Sequence, residues 1–387
     1  MRKSVYKDYA MLILMLFSAA VLVFAFTNIK LWVSSSYNSY VIQAKAWLSG
    51  RLDLGRDYSW LEIARYDGKF FISFPPFPSY IMLPFVAIFG EGFASGIIAF
   101  FAYILSGIYS CRILKHFGAD GNTAVLHSLF LVICSNYFFI ALSDWVWFIA
   151  QNLCFTMCII ALYYALRGKG GITFILWACA VGCRPFTILY LPFFILVCRR
   201  NTKVNKNQFI VNLVKWSVIP IVIGISYMVL NFMRFGNPFE FGHNYLPEFI
   251  EAPKGQFSLS YFSGNLLTLV RLPEYSGNML HFQQFNGTNM FIASPLFIIA
   301  AFAFLKGILK GDSCVITALI VLCVELFFIL CHRTMGGYHY GNRYTIDVLP
   351  LAFYAVAVYK KDKSIITYAL AILGFGLNLI WITKYFV

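Results

Sequence analysis

The sequence predicts an all-α, polytopic integral membrane protein with about eleven transmembrane helices and two long non-cytoplasmic loops, on three observations. Of the 387 residues 60% are hydrophobic and only 12% charged, with a mean hydropathy of +0.74, whereas about a quarter of a soluble domain is charged. The apolar residues come in runs of bilayer length. The loops between them alternate in charge: those read as cytoplasmic carry Lys and Arg, and ten of the 16 acids fall in the others, as the positive-inside rule describes. These basic loops account for the net charge of +14 and leave no argument for a nucleic-acid partner.

The basic start (Arg2, Lys3, Lys7) leads into an apolar run over 9–29 of spanning length. This is read as a retained first helix with its amino end inside, because no small-x-small cleavage site follows. The first outer loop, 31–78, holds Asp53, Asp57, Glu62 and Asp67 interleaved with Tyr58, Trp60, Tyr66, Phe70 and Phe71. It closes on Pro75, Pro76 and Pro78, which favour an extended chain. The run over 79–90 is short and reads as re-entrant or interfacial. Further crossings are expected over 95–113, 122–142, 146–166, 172–183, 187–198 and 209–232. The second outer loop, 233–288, follows. Crossings over 289–305, 313–331, 346–359 and 365–383 complete the count, with a late outer loop at 332–345. No repeat, low-complexity tract or linker divides the chain, so 1–387 reads as one transmembrane domain in the plasma (cytoplasmic) membrane. The ten cysteines lie mainly inside apolar runs, without metal-type spacing, and read as small buried hydrophobes.

Polar residues collected on one face of a membrane protein are functional candidates, because lone charges near hydrocarbon are costly. The outer face gathers the first-loop acids and Asp144, together with Arg184, Arg234, Arg333 and Arg343 and the histidines His243, His281, His332 and His339. Guanidinium forks bind phosphate oxygens, and a carboxylate can take a proton from a hydroxyl. The combination therefore points to a phosphorylated lipid and a hydroxyl acceptor. Each arginine alone also fits a headgroup anchor, and each histidine a hydrogen-bonded interface residue. Arg184 stands apart because it follows Gly182 and Cys183 and precedes Pro185. Glu325, in mid-span, is a candidate relay. Asn286, Gly287 and Thr288 match a glycosylation sequon, a pattern common by chance.

Four stretches carry a resemblance. Residues 62–76 (EIARYDGKFFISFPP) are similar to the first-loop pattern of bacterial polytopic glycosyltransferases of the GT-C superfamily, with an acid, a Gly, an aromatic pair and a Pro before the re-entrant segment. Residues 182–185 (GCRP) look like the Arg-Pro turn of these enzymes. Residues 231–238 (NFMRFGNP) resemble their N-x-x-R-F-G approach to the second outer loop, and residues 335–344 (MGGYHYGNRY) their late G-G-x-x-x-G-x-R-Y loop. The resemblance covers essentially the whole chain. It implies an enzyme, a hexosyl- or pentosyltransferase, that takes a sugar from a polyprenyl-phosphate carrier and passes it to a glycan, lipid or protein acceptor outside the cytoplasm. In this superfamily a first-loop carboxylate, usually just after the first helix, acts as base. Here that region is Ser36, Tyr37, Asn38 and Ser39, with no acid. The resemblance therefore implies Glu62 as base, then Asp67, with Asp53 and Asp57 in reserve. Arg184, Arg234 and Arg343 are expected on the lipid phosphate, Asn38 on the acceptor, and Asp144, His243 and His339 among the substrate-binding residues. No cofactor is required by this chemistry, and no phosphate-cradling Gly-rich loop is present. A divalent ion is compatible with the acids but not demanded. Two other functions keep their place: a flippase or transporter of a lipid-linked glycan, against which stand the absence of inverted repeats and of paired broken helices, and a glycan polymerase using a diphosphate-linked donor.

Overall fold

The computed structural model describes residues 2–277, 279–283 and 285–386; positions 278 and 284 of the second predicted loop lie outside them. Among the described residues six helices are long and apolar enough to cross a membrane: Tyr6–Phe26, Gly96–His116, Val146–Leu166, Lys206–Phe235, Ser313–Leu330 and Ile365–Tyr385. The other five expected crossings fall on shorter helices of 11 to 14 residues: Gly121–Val132, Gly170–Val181, Leu191–Asn201, Leu296–Leu309 and Leu349–Tyr359. A full crossing takes about 20 residues. The chain is thus mostly helical, with six candidate spans and a set of shorter apolar helices.

Val146–Leu166 is the hub, with 78% of its apolar window buried, whereas Lys206–Phe235 has 11% buried and turns most of its surface outward. The hub is knit to its neighbours by polar side chains, since lipid supplies no hydrophobic drive between helices. Asn152 donates to the carbonyls of Ala99 (3.0 Å) and Ala141 (2.8 Å), and Thr156 to that of Ala102 (3.1 Å).

The expected crossing over 122–142 is interrupted. Gly121–Val132 ends, the chain breaks at Ser135 and Asn136, and a short helix, Tyr137–Ala141, follows. The reason is a buried knot. Asn136 donates to the carbonyl of Asn342 (2.8 Å) and to Thr345 Oγ1 (3.0 Å), and accepts from Ser294 Oγ (2.7 Å). The break lets one asparagine hold two loops that lie over 150 residues away in sequence.

Nor is the fold purely helical. The long loop after the first span contains a helix, Ser39–Leu48, capped by the Asn38 side chain, and an antiparallel hairpin pairing Ile63–Tyr66 with Lys69–Ile72. Asp67 (φ 49°) and Gly68 (φ 68°) are its two turn residues, the left-handed pair that a type I′ turn needs. A second hairpin pairs Glu274–Ser276 with Met279–His281. All ten cysteines are free; nine are buried and Cys323 is exposed on the span Ser313–Leu330.

Candidate active site

The hairpin of the first loop delivers Glu62. The residue stands immediately before the strand Ile63–Tyr66, and its backbone carbonyl accepts a hydrogen bond from Ser73 Oγ (3.0 Å) across the hairpin. Its half-buried side chain lines a cavity of about 570 Å³ walled by the loops at this end of the bundle, within the range of about 300–1,000 Å³ that holds small ligands.

Arg184 reaches the same cavity from the break after Gly170–Val181. As the residue before a proline it is extended (φ −142°, ψ 103°), and Pro185 opens the 3₁₀ turn Pro185–Tyr190. A Cβ on Gly182 would lie 2.2 Å from the Tyr227 hydroxyl, so glycine permits the packing that aims the turn. Arg184 is clamped by Asp347, whose Oδ2 accepts from Nε (2.9 Å) and Nη2 (2.7 Å). Burial opposes the charge of Arg184, but Asp347 outweighs it and the guanidinium is held charged.

Arg343 opens the 3₁₀ turn Arg343–Val348, which Asn342 caps through its side chain. Its Nε donates to the Gly336 carbonyl (3.1 Å) and its Nη1 to that of Trp147 (3.2 Å). Gly336 (φ 99°) is required at this approach, because a Cβ there would sit 2.9 Å from Arg343 Nε. Gln151 braces both arginines, donating 2.7 Å bonds to the Arg343 carbonyl and to Asp347 Oδ1. The ring of Tyr344 is 4.9 Å from the Arg184 guanidinium carbon and 4.8 Å from that of Arg343, a distance at which cation–π attraction operates. Among the described residues no carboxylate comes within 4.0 Å of a nitrogen of Arg343, although the side chain is buried. Burial pushes its pKa down.

Glu248 and two neutral histidines, His243 and His332, line the same cavity. Burial first, and then the charge of Glu248, push the Glu62 carboxyl up to about 7; Arg343 and the Trp147 indole pull the other way. His243 donates from Nδ1 to the Ser73 carbonyl, which leaves its Nε2 as an acceptor. His332 donates from Nδ1 to the Thr334 carbonyl (2.7 Å). Burial lowers both to about 4.

The structure therefore brings together Glu62, Arg184, Arg343 and His243. The other expected site residues do not line this cavity. Asp67 is spent on the hairpin turn and is exposed at its tip. Arg234 is buried at the end of Lys206–Phe235, donating to the Ile72 carbonyl (3.2 Å) and to Asn231 Oδ1 (2.7 Å); it hooks the hairpin to the helix. Asn38 and Asp144 meet through Ser95: Asn38 Nδ2 donates to Ser95 Oγ (2.7 Å), which donates to Asp144 (2.5 Å). His339 is buried behind Gly336, donating to its carbonyl at 3.2 Å. Glu325 is fully buried with neither carboxyl oxygen hydrogen-bonded among the described residues. Sequence reasoning missed Tyr40, Trp147, Glu248 and Asp347. Of these only Asp347 left a signal, an acid inside an apolar run four residues after Arg343. No three His, Cys, Asp or Glu side chains among the described residues group as a metal site.

These features define a polytopic membrane protein with a polar cavity at one end of its helix bundle, and its fold is shared with solved structures. The chain is similar to ArnT from Cupriavidus metallidurans in the apo state, with a TM-score of 0.57 and 14% identity over 97% of this chain and 63% of that one. It is similar to the Archaeoglobus fulgidus oligosaccharyltransferase in the apo form (TM-score 0.54, 12% identity, 97% and 56% covered). It also matches the oligosaccharyltransferase AglB of Archaeoglobus fulgidus in complex with an inhibitory peptide and a dolichol-phosphate (TM-score 0.50, 11% identity, 97% and 55%). The chain thus spans 55% to 63% of the length of these structures. No protein-family model and no curated protein sequence matches it.

Proposed function

We propose that this chain is a membrane glycosyltransferase that moves a sugar from a polyprenyl-phosphate carrier to a hydroxyl of a glycan, lipid or protein acceptor on the non-cytoplasmic face. The observation that carries this reading is the pairing, in one cavity, of a carboxyl poised near neutrality with a buried guanidinium that has no carboxylate neighbour among the described residues. A buried cation without a counter-ion needs an anion, and a base works best with its pKa near the operating pH. The carrier class is supported by the dolichol-phosphate in the Archaeoglobus fulgidus complex, and the orientation by the basic residues of the opposite loops.

Glu62 takes the proton of the acceptor hydroxyl as its oxygen attacks the anomeric carbon. The bond from that carbon to the phosphate oxygen breaks, and polyprenyl phosphate leaves with the electron pair. Arg343 faces the charge that grows on the phosphate, and Arg184, already neutralised by Asp347, offers its remaining N–H groups. His243, with Nε2 as an acceptor, suits a sugar or acceptor hydroxyl rather than the phosphate.

The test uses purified protein, a radiolabelled polyprenyl-phosphate sugar and total membrane acceptors. Label moving to a new product with wild type and not with Glu62→Gln supports the reading. No transfer from any donor, with labelled lipid crossing a vesicle bilayer instead, replaces the enzyme with a flippase.

A further inference from the structure

Tyr40 is a residue that neither the sequence motifs nor the proposed mechanism uses. It lies one position inside the helix Ser39–Leu48, its backbone N–H held by the Asn38 side chain (3.1 Å) and its carbonyl by Ser79 Oγ (3.2 Å). Its ring packs on Phe74, with centroids 6.4 Å apart, and the residue is fully buried at the wall of the cavity that Glu62 and Arg184 also line. Its hydroxyl has no hydrogen-bond partner among the described residues, although the charges of Arg184, Arg343 and Glu62 all act on it. Buried hydroxyls are nearly always paired, and leaving one unpaired is unfavourable. A ligand atom in the cavity that the residue lines would supply the partner. Burial holds the phenol far above its ordinary range, so it offers a proton to share and never a negative charge.

From this we infer that the Tyr40 hydroxyl donates a hydrogen bond to the phosphate of the lipid carrier, a neutral donor completing the anion site that Arg184 and Arg343 begin. The assignment rests on the lipid-phosphate reading above. A neutral donor set where charge develops strengthens as that charge grows and adds no cation to a cavity that must also release an anionic product. Asp347 neutralises Arg184, which leaves Arg343 as the one arginine of the cavity wall without a counter-ion among the described residues; a third contact that carries no charge suits a phosphate better than another ion pair.

The substitution Tyr40→Phe removes only the hydroxyl, and the test reads the purified full chain three ways. Because the hydroxyl bonds nothing within the fold, Tm without ligand should equal or exceed that of wild type. Added polyprenyl phosphate should raise Tm less in the variant than in wild type. In the transfer assay kcat should fall on the order of 10²-fold, the usual effect of losing one oxyanion donor, with little change in KM for the donor. A Tm well below wild type overturns the inference, because the hydroxyl would then be holding the fold. So does a lipid-induced shift or a kcat equal to that of wild type. If wild type itself shows no shift with polyprenyl phosphate, the lipid-phosphate reading fails and takes the Tyr40 role with it, an outcome distinct from equal shifts in both proteins.

Discussion

Arg184 and Asp347, 163 positions apart, meet through two hydrogen bonds on one carboxylate oxygen, while the other oxygen accepts from Gln151. The pair sits with 23% and 3% of its side chains exposed. Removing one partner of such a buried pair leaves the other charge stranded, which costs about 3–5 kcal/mol. Asp347→Ala should therefore lower the Tm of the purified protein markedly. The double substitution Arg184→Met with Asp347→Leu should recover much of that loss while transfer stays abolished. Thermal melts and initial rates on wild type and the two variants check this.

A pH profile follows from Glu62. Burial first, and then Glu248, raise its carboxyl to about 7, and as the proposed base it acts only when ionised, so kcat/KM should rise with pH through about 7. Glu248→Gln removes one of the two raising causes and should move that limb to lower pH. Linkage gives a second reading. A carboxyl whose folded pKa exceeds its unfolded value holds its proton in the folded state over the window from 4.5 to about 7, so folding stability falls as pH rises through that window. Glu62→Gln, which cannot ionise, should melt like wild type at pH 4 and higher than wild type at pH 8.

Arg343 holds two backbone carbonyls and faces the cavity with what remains of its fork. Lysine keeps the charge and loses the geometry. Arg343→Lys should raise KM for the donor or lower kcat by on the order of 10- to 100-fold, from the ~1.5–3 kcal/mol of a charge-assisted hydrogen bond. A steady-state titration of donor against the variant measures it.

Asp67 and Glu62 were rival bases in the sequence, and the structure separates them. Asp67→Asn keeps a residue that tolerates a left-handed turn and should transfer at close to the wild-type rate, with initial-rate measurement as the check. Asp67→Val should unsettle the hairpin and lower activity indirectly. Arg234→Ala should act in the same way, reducing Tm because it unhooks the hairpin from Lys206–Phe235.

How much of this the sequence made legible depended on how local the signal was. The apolar runs located the helices, and the Asp67-Gly68 pair was a readable hairpin signal that the acids around it obscured. The interruption at Ser135 and Asn136 was not readable, because its cause is a set of partners at 294, 342 and 345. Arg184 and Arg343 stood out through the glycines and the proline beside them. Arg234, flanked in the same way, serves the end of a helix instead. Tyr40 and Glu248 were invisible because one tyrosine or glutamate reads like any other until packing decides what its oxygen faces.

The thiols described above give the molecule a practical property. With nine of ten cysteines buried and none joined, the long loops keep their shape without disulfides, so reducing buffers should leave the protein intact. A maleimide should leave the nine buried thiols of the native chain unmodified and reach them only as the bundle comes apart. The stoichiometry of labelling is then a clock for unfolding that needs no added probe site.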